Sequence, residues 1–271
     1  MNNKKAPDSL PLSRKSQLWF LIKDNPSLLM FVSLTAFAFL VPLGFVFTWL
    51  LLTFSAIVRD TSIQGLSAFY DIFYPSLTLI LATMIAGIGF SGVYGVIHEL
   101  VTKDYSKYKH FFTTLKSNLK QFVIYYGILG LFLFLVVINF AGYIYLDIIP
   151  FLKLISLFVS ITLLTLFIFI KPFTLFQICM FNNSLGQIVR NSIGFIGKRF
   201  HFNLLTILLS NLFYALVLVL PSDLRVFALV VMGLFWIMFS CLCNYIICID
   251  TLEKKLPKDQ VNEFFHKGLE E

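Results

Sequence analysis

Leu28–Val58 reads LLMFVSLTAFAFLVPLGFVFTWLLLTFSAIV, a run without a single Asp, Glu, Lys or Arg. About 20 such residues cross a hydrocarbon core of about 30 Å as a helix. The run therefore predicts a membrane span longer than a perpendicular crossing requires, one that tilts, kinks or extends past the surface. Pro42 is the candidate kink, because it has no N–H to donate and crowds the preceding turn.

Working outward, five further blocks repeat the pattern: Ile72–Val101, Phe122–Leu146, Ile148–Ile178, Phe202–Leu220 and Val226–Ile249. Composition agrees with them. The chain is 58% hydrophobic and 13% charged, against about 25% charged in an ordinary soluble domain, and 32 of its 271 residues are Phe. A water-soluble fold could not hide that much apolar surface. The expectation is an all-α integral membrane protein with six transmembrane helices, forming a membrane domain over residues 28–250. Segments 1–27 and 251–271 flank it on the cytoplasmic side.

The net charge of +7 raises the question of nucleic acid or anionic lipid. Sorting the charges by connection answers it. With a cytoplasmic N-terminus, 18 of the 21 basic residues fall inside, and only Arg59, Lys153 and Arg225 fall outside. Retention of Lys and Arg on the cytoplasmic face predicts that orientation, with both termini inside a cell membrane and no nucleic-acid partner. Residues 1–25 are polar and carry Pro7 and Pro11, so the first span reads as an uncleaved anchor rather than a signal peptide. Leu18, Trp19, Leu21 and Ile22 are expected to enter the interface before Pro26 opens that span.

The outside connections are short, the longest being Arg59–Asp71. Each of the two long inside connections holds an amphipathic segment. In the first, Tyr108, Phe111, Phe112, Leu115, Leu119 and Phe122 make one helical stripe, with Lys109, Lys116 and Lys120 at its edge. Aromatics in the acyl boundary and lysines toward lipid phosphates would suit an interfacial helix. In the second, Leu185, Ile188, Val189, Ser192, Ile196 and Phe200 face one way, and Gln187, Arg190, Asn191 and Lys198 the other. Gly186, Gly194 and Gly197 cost this helix about 1 kcal/mol each relative to Ala, so it is expected to need protein neighbours. Two amphipathic cytoplasmic interfacial helices, each between a pair of spans, also suggest a parallel internal repeat. The C-terminal Val261, Phe264, Phe265 and Leu269 recur at helical spacing in a solvated or partner-bound segment.

Motifs for chemistry are sparse. No nucleotide-binding glycine loop and no H-E-x-x-H occur. His98-Glu99 has Thr at position 102, and adjacent helical residues do not share a face, which predicts a solvated or ion-paired helix end rather than a metal site. Cys179, Cys241, Cys243 and Cys248 read as buried thiols. Gly87, Gly89, Gly92 and Gly95 read as a helix-packing strip. Lys153 and Lys171 are expected to lie near span ends and snorkel outward. The neutral Asn139, Asn211 and Asn244 read first as cross-helix hydrogen-bonding groups, and second as a polar path within the membrane. No catalytic residue, cofactor or metal is expected.

Ser91–Phe122, SGVYGVIHELVTKDYSKYKHFFTTLKSNLKQF, resembles the YesL-like (DUF624) family of bacterial polytopic membrane proteins. The shared features are Gly95, the turn Val101-Thr102-Lys103-Asp104, the pair Phe111-Phe112, and Lys116-Ser117-Asn118-Leu119-Lys120. Lys171-Pro172 through Phe176, and Leu185 to Leu205, are similar to that family's second half. The likeness covers about residues 28–250, and the external Arg59–Asp71 is longer than the family pattern. It implies a non-enzymatic accessory protein associated with carbohydrate import or envelope polysaccharide in Gram-positive bacteria. Lys109, Phe111, Phe112, Lys116, Asn118, Lys120, Arg190, Lys198 and Arg199 would then contact membrane lipids or a partner such as an ABC transporter. A transporter or channel for a neutral or amphiphilic solute is the alternative.

Overall fold

The computed structural model describes residues 13–60, 64–103, 105–181, 183–198, 204, 212–213, 217 and 219–255. All regular structure among them is helical. Ser13 starts α1 (Arg14–Asp24) with a capping box: the Ser13 N–H donates to Ser16 Oγ at 3.0 Å, and Ser13 Oγ accepts from the Ser16 N–H. Pro26 opens α2 (Pro26–Arg59) at the position where a missing N–H costs least. α3 (Gly65–Lys103), α4 (Lys109–Tyr145) and α5 (Pro150–Met180) follow, then the shorter α6 (Leu185–Lys198). The last stretch is α7 (Ser222–Val231), a π-helical turn (Met232–Trp236) and α8 (Ile237–Lys255).

Among the described residues five helical segments are long and apolar enough to cross a membrane, the fifth being Leu224–Lys254. They match five of the six blocks read from the sequence. The block Phe202–Leu220 lies mostly outside the described residues. α2 to α5 run 34, 39, 37 and 31 residues, or about 45 to 60 Å, far beyond a bilayer core. α2 continues as helix through Pro42. The connection between the first two spans is shorter than expected: Gly65, at φ +62°, begins α3 six residues before Asp71.

The larger departure concerns the first amphipathic segment, which is not a separate interfacial helix. Residues 109–122 are the opening turns of α4, and they pack back along α3. The glycine strip explains why. A Cβ at Gly92 would sit 2.5 Å from the Phe111 ring, one at Gly87 would sit 2.8 Å from Tyr126 Cβ, and one at Gly95 would collide with Thr114. Only bare backbone lets α4 come so close. Phe111 and Phe122 are consequently fully buried in the protein rather than in lipid.

α3 is the central helix, touching α1, α2, α4, α5 and α8, and Gly89 through Ile97 are buried without interruption. Two apolar clusters stack along the bundle. The larger joins α1 to α6 and the α7–α8 segment around Tyr94, Phe111, Phe176 and Tyr245. The smaller joins α2, α3 and α4 around Leu50, Ile72, Leu79 and Ala141. On the last segment, the π turn pairs the Ile237 N–H with the Met232 carbonyl, and Ser33 of α2 donates to the same carbonyl at 3.4 Å.

Candidate functional site

Two features have functional character: the end of the bundle that carries the basic residues, and a cavity in the helical core.

At the basic end, side chains clamp elements far apart in sequence. Arg14 of α1 is bound by both carboxylate oxygens of Glu253, and its Nη1 donates to Gln17 Oε1 at 2.6 Å. Gln17 Nε2 in turn donates to the Val101 carbonyl at 3.1 Å. This chain ties α1 to the ends of α3 and α8, and both charged side chains are less than a tenth exposed. α1 therefore places Gln17 and Leu21 against protein while Trp19 stays 72% exposed. Of the four apolar residues expected at the interface, Leu21 is thus buried in protein.

The second connection is likewise held by protein, as its glycines required. Ser192 of α6 is fully buried and accepts from Thr174 Oγ1 at 3.1 Å and Gln177 Nε2 at 3.0 Å, both on α5. Phe195 stacks on Phe173. Gln121 of α4 donates to the Asn183 carbonyl at 3.0 Å, joining the two connections.

The sequence-derived contact residues divide accordingly. Lys109, Lys116, Lys120, Arg190 and Phe112 are exposed. Phe111 is not available to lipid, because the Gly92 face of α3 buries it. Asn118 is half-buried, its Nδ2 3.7 Å from Cys179 Sγ on α5. Arg199 and the Lys198 side chain lie outside the described residues.

His98 and Glu99 diverge as adjacent helical residues must. Glu99 pairs with Lys103 at 2.8 Å, while His98 Nδ1 meets Tyr245 Oη of α8 at 2.7 Å. No cluster of three metal-ligating side chains occurs among the described residues. Cys241 and Cys248 are buried, and Cys179 and Cys243 half-buried.

Asn139 donates to Ser160 Oγ at 2.6 Å, a bond from α4 to α5. Asn244 is buried on α8, Asn211 lies outside the described residues, and neither Asn139 nor Asn244 lines the cavity.

That cavity, about 260 Å³, lies where the two apolar clusters meet, between α2, α3, α4 and α5. Its one charged lining residue is Lys171, which the sequence reading sent toward a span end. Lys171 Nζ instead lies 5.3 Å from the centroid of the Phe90 ring and 6.0 Å from that of Tyr126. Phe90 is about 20 Å along α3 from Lys103, so the ammonium is well inside the bundle. Pro172 shapes the site. Lacking an N–H, it cannot serve the Ile168 carbonyl one turn back, and Ile168 lines the cavity. Beside it Tyr125 Oη donates to the Phe167 carbonyl at 2.9 Å.

Cation–π contacts near the 6 Å limit stabilise by about 0.5–1 kcal/mol each. No carboxylate among the described residues lies within ion-pair distance of Lys171. A detectable sequence signal was the Lys-Pro pair at 171–172, inside a block whose one other charge, Lys153, stands near its opposite end.

The chain has no match among family models, curated proteins or solved structures.

Proposed function

We propose that the protein is a non-enzymatic, multi-pass accessory protein of the cell membrane that docks a partner at its basic end. In this reading both termini and the basic end are cytoplasmic, as the charge bias predicts. Phe202–Leu220 supplies a sixth span. The partner belongs to a carbohydrate ABC importer or an envelope-polysaccharide system, the association implied by the likeness to YesL-like proteins. The observation that carries the reading is the row Lys109, Lys116 and Lys120. These residues recur at helical spacing on the exposed side of α4, whose opposite side is buried against α3. The hairpin thus holds the charges at fixed spacing, as a recognition surface requires and a loose loop would not provide. The parallel repeat belongs to the same reading, supported by both connections packing back on the helix before them. Affinity purification from native membranes tests it: the wild type should recover an importer or envelope component, and recovery of neither counts against it.

One observation favours a second reading, a transporter for a neutral or amphiphilic solute: the core cavity itself. Solute uptake into liposomes containing this protein alone separates it from the docking role.

A further inference from the structure

The core cavity is half-open, and its volume lies near the lower bound of small-molecule sites, about 300 Å³. Its walls are mostly aliphatic, with Leu40 and Leu43 from α2 facing Leu164 from α5. Lys171 holds its ammonium beside the rings of Phe90 and Tyr126.

We propose that this cavity binds a single-chain anionic amphiphile, a phosphate-type headgroup against Lys171 and the hydrocarbon chain along the leucines. Each part of the ligand answers a feature of the site. A cation inside an apolar bundle, with no carboxylate among the described residues within ion-pair distance, calls for an anion from outside. A lining this apolar calls for a chain attached to that anion, since a bare inorganic ion would gain nothing from it. The small volume admits one chain rather than two. A neutral solute would leave the ammonium as uncompensated as before. The proposal goes beyond the docking reading and stands apart from it, because none of the docking lysines lines the cavity.

The test uses the full chain in nanodiscs of zwitterionic lipid and an alkyl phosphate carrying a photoreactive diazirine in its chain. Adducts are mapped by peptide mass spectrometry, and competition is measured with dodecyl phosphate, dodecanol and inorganic phosphate. Adducts on the cavity-facing turns of α2 and α5, competed by dodecyl phosphate alone, are expected. Lys171→Met should lower the yield about tenfold or more, and Lys171→Arg should keep most of it. Adducts confined to the basic end overturn the proposal. So does equal competition by dodecanol or by inorganic phosphate, or an unchanged yield with Lys171→Met. Should Lys171→Met fail to fold, the wild-type map and the three competitors decide the matter without it.

Discussion

Arg14 and Glu253, 239 positions apart in the chain, form a two-pronged ion pair that joins the first described helix to the last. Both side chains are nearly excluded from solvent. Removing one member strands a buried charge, which costs about 3–5 kcal/mol. Arg14→Ala or Glu253→Ala should therefore lower the thermal unfolding temperature in detergent sharply. The double replacement Arg14→Met/Glu253→Leu should be milder than either single, since it strands nothing. Equal losses in all three would show that α1 is held by packing alone.

The close approach of α3 and α4 depends on glycines at defined positions. Gly92→Ala drives a methyl into the Phe111 ring, and overpacking of this kind costs about 1–3 kcal/mol. Gly44→Ala is the control, because nothing lies within 4 Å of the added carbon. Unfolding monitored by near-UV circular dichroism should shift for the first variant and stay unchanged for the second.

Ser192 accepts two hydrogen bonds in a buried position between α5 and α6. Ser192→Ala leaves the Gln177 amide short of an acceptor, at about 1–3 kcal/mol, while the Thr174 hydroxyl keeps the Ile170 carbonyl. Because α6 relies on this anchor, hydrogen exchange should accelerate over residues 185–198 more than over α3. Uniform acceleration across the protein would argue against a local role.

Charge neutralisation at the basic surface should behave oppositely. Lys109, Lys116 and Lys120 are exposed, so replacing all three by Gln should change stability by no more than about 0.5 kcal/mol each. Partner recovery should fall, and the difference from wild type should narrow as salt rises. A loss of recovery that ignores salt would point away from electrostatic docking.

Orientation is testable by labelling. In a cysteine-free background, a thiol introduced at exposed Ser117 should react with an impermeant reagent only after permeabilisation. One at exposed Asp147 should react in intact cells. The reverse pattern would invert the topology and move the basic surface outside.

The spans themselves were legible because a bilayer sets one requirement, a long uncharged helix, that shows directly in Leu28–Val58 and its counterparts. The glycine strip was legible as a packing face, and the first connection as an amphipathic helix. What could not be read was that these two surfaces belong to each other. An apolar stripe fits lipid and protein equally by composition, and only the bare backbone at Gly92 and Gly95, facing Phe111 and Thr114, settles the choice.

Lys171 shows the same limit from the other side. By position it is a lysine some nine residues from a helix end, and a long flexible side chain there has two ways to turn. Along the chain, composition alone determined an all-helical protein with membrane-length apolar helices and one strongly basic set of connections. Tertiary structure alone decided that α4 buries its aromatics against α3, that α1 is pinned by Glu253, and that a cation faces a core cavity. Hydrophobic length is a property of each segment by itself. Burial and charge pairing depend on which segments meet, through contacts between residues far apart in the chain.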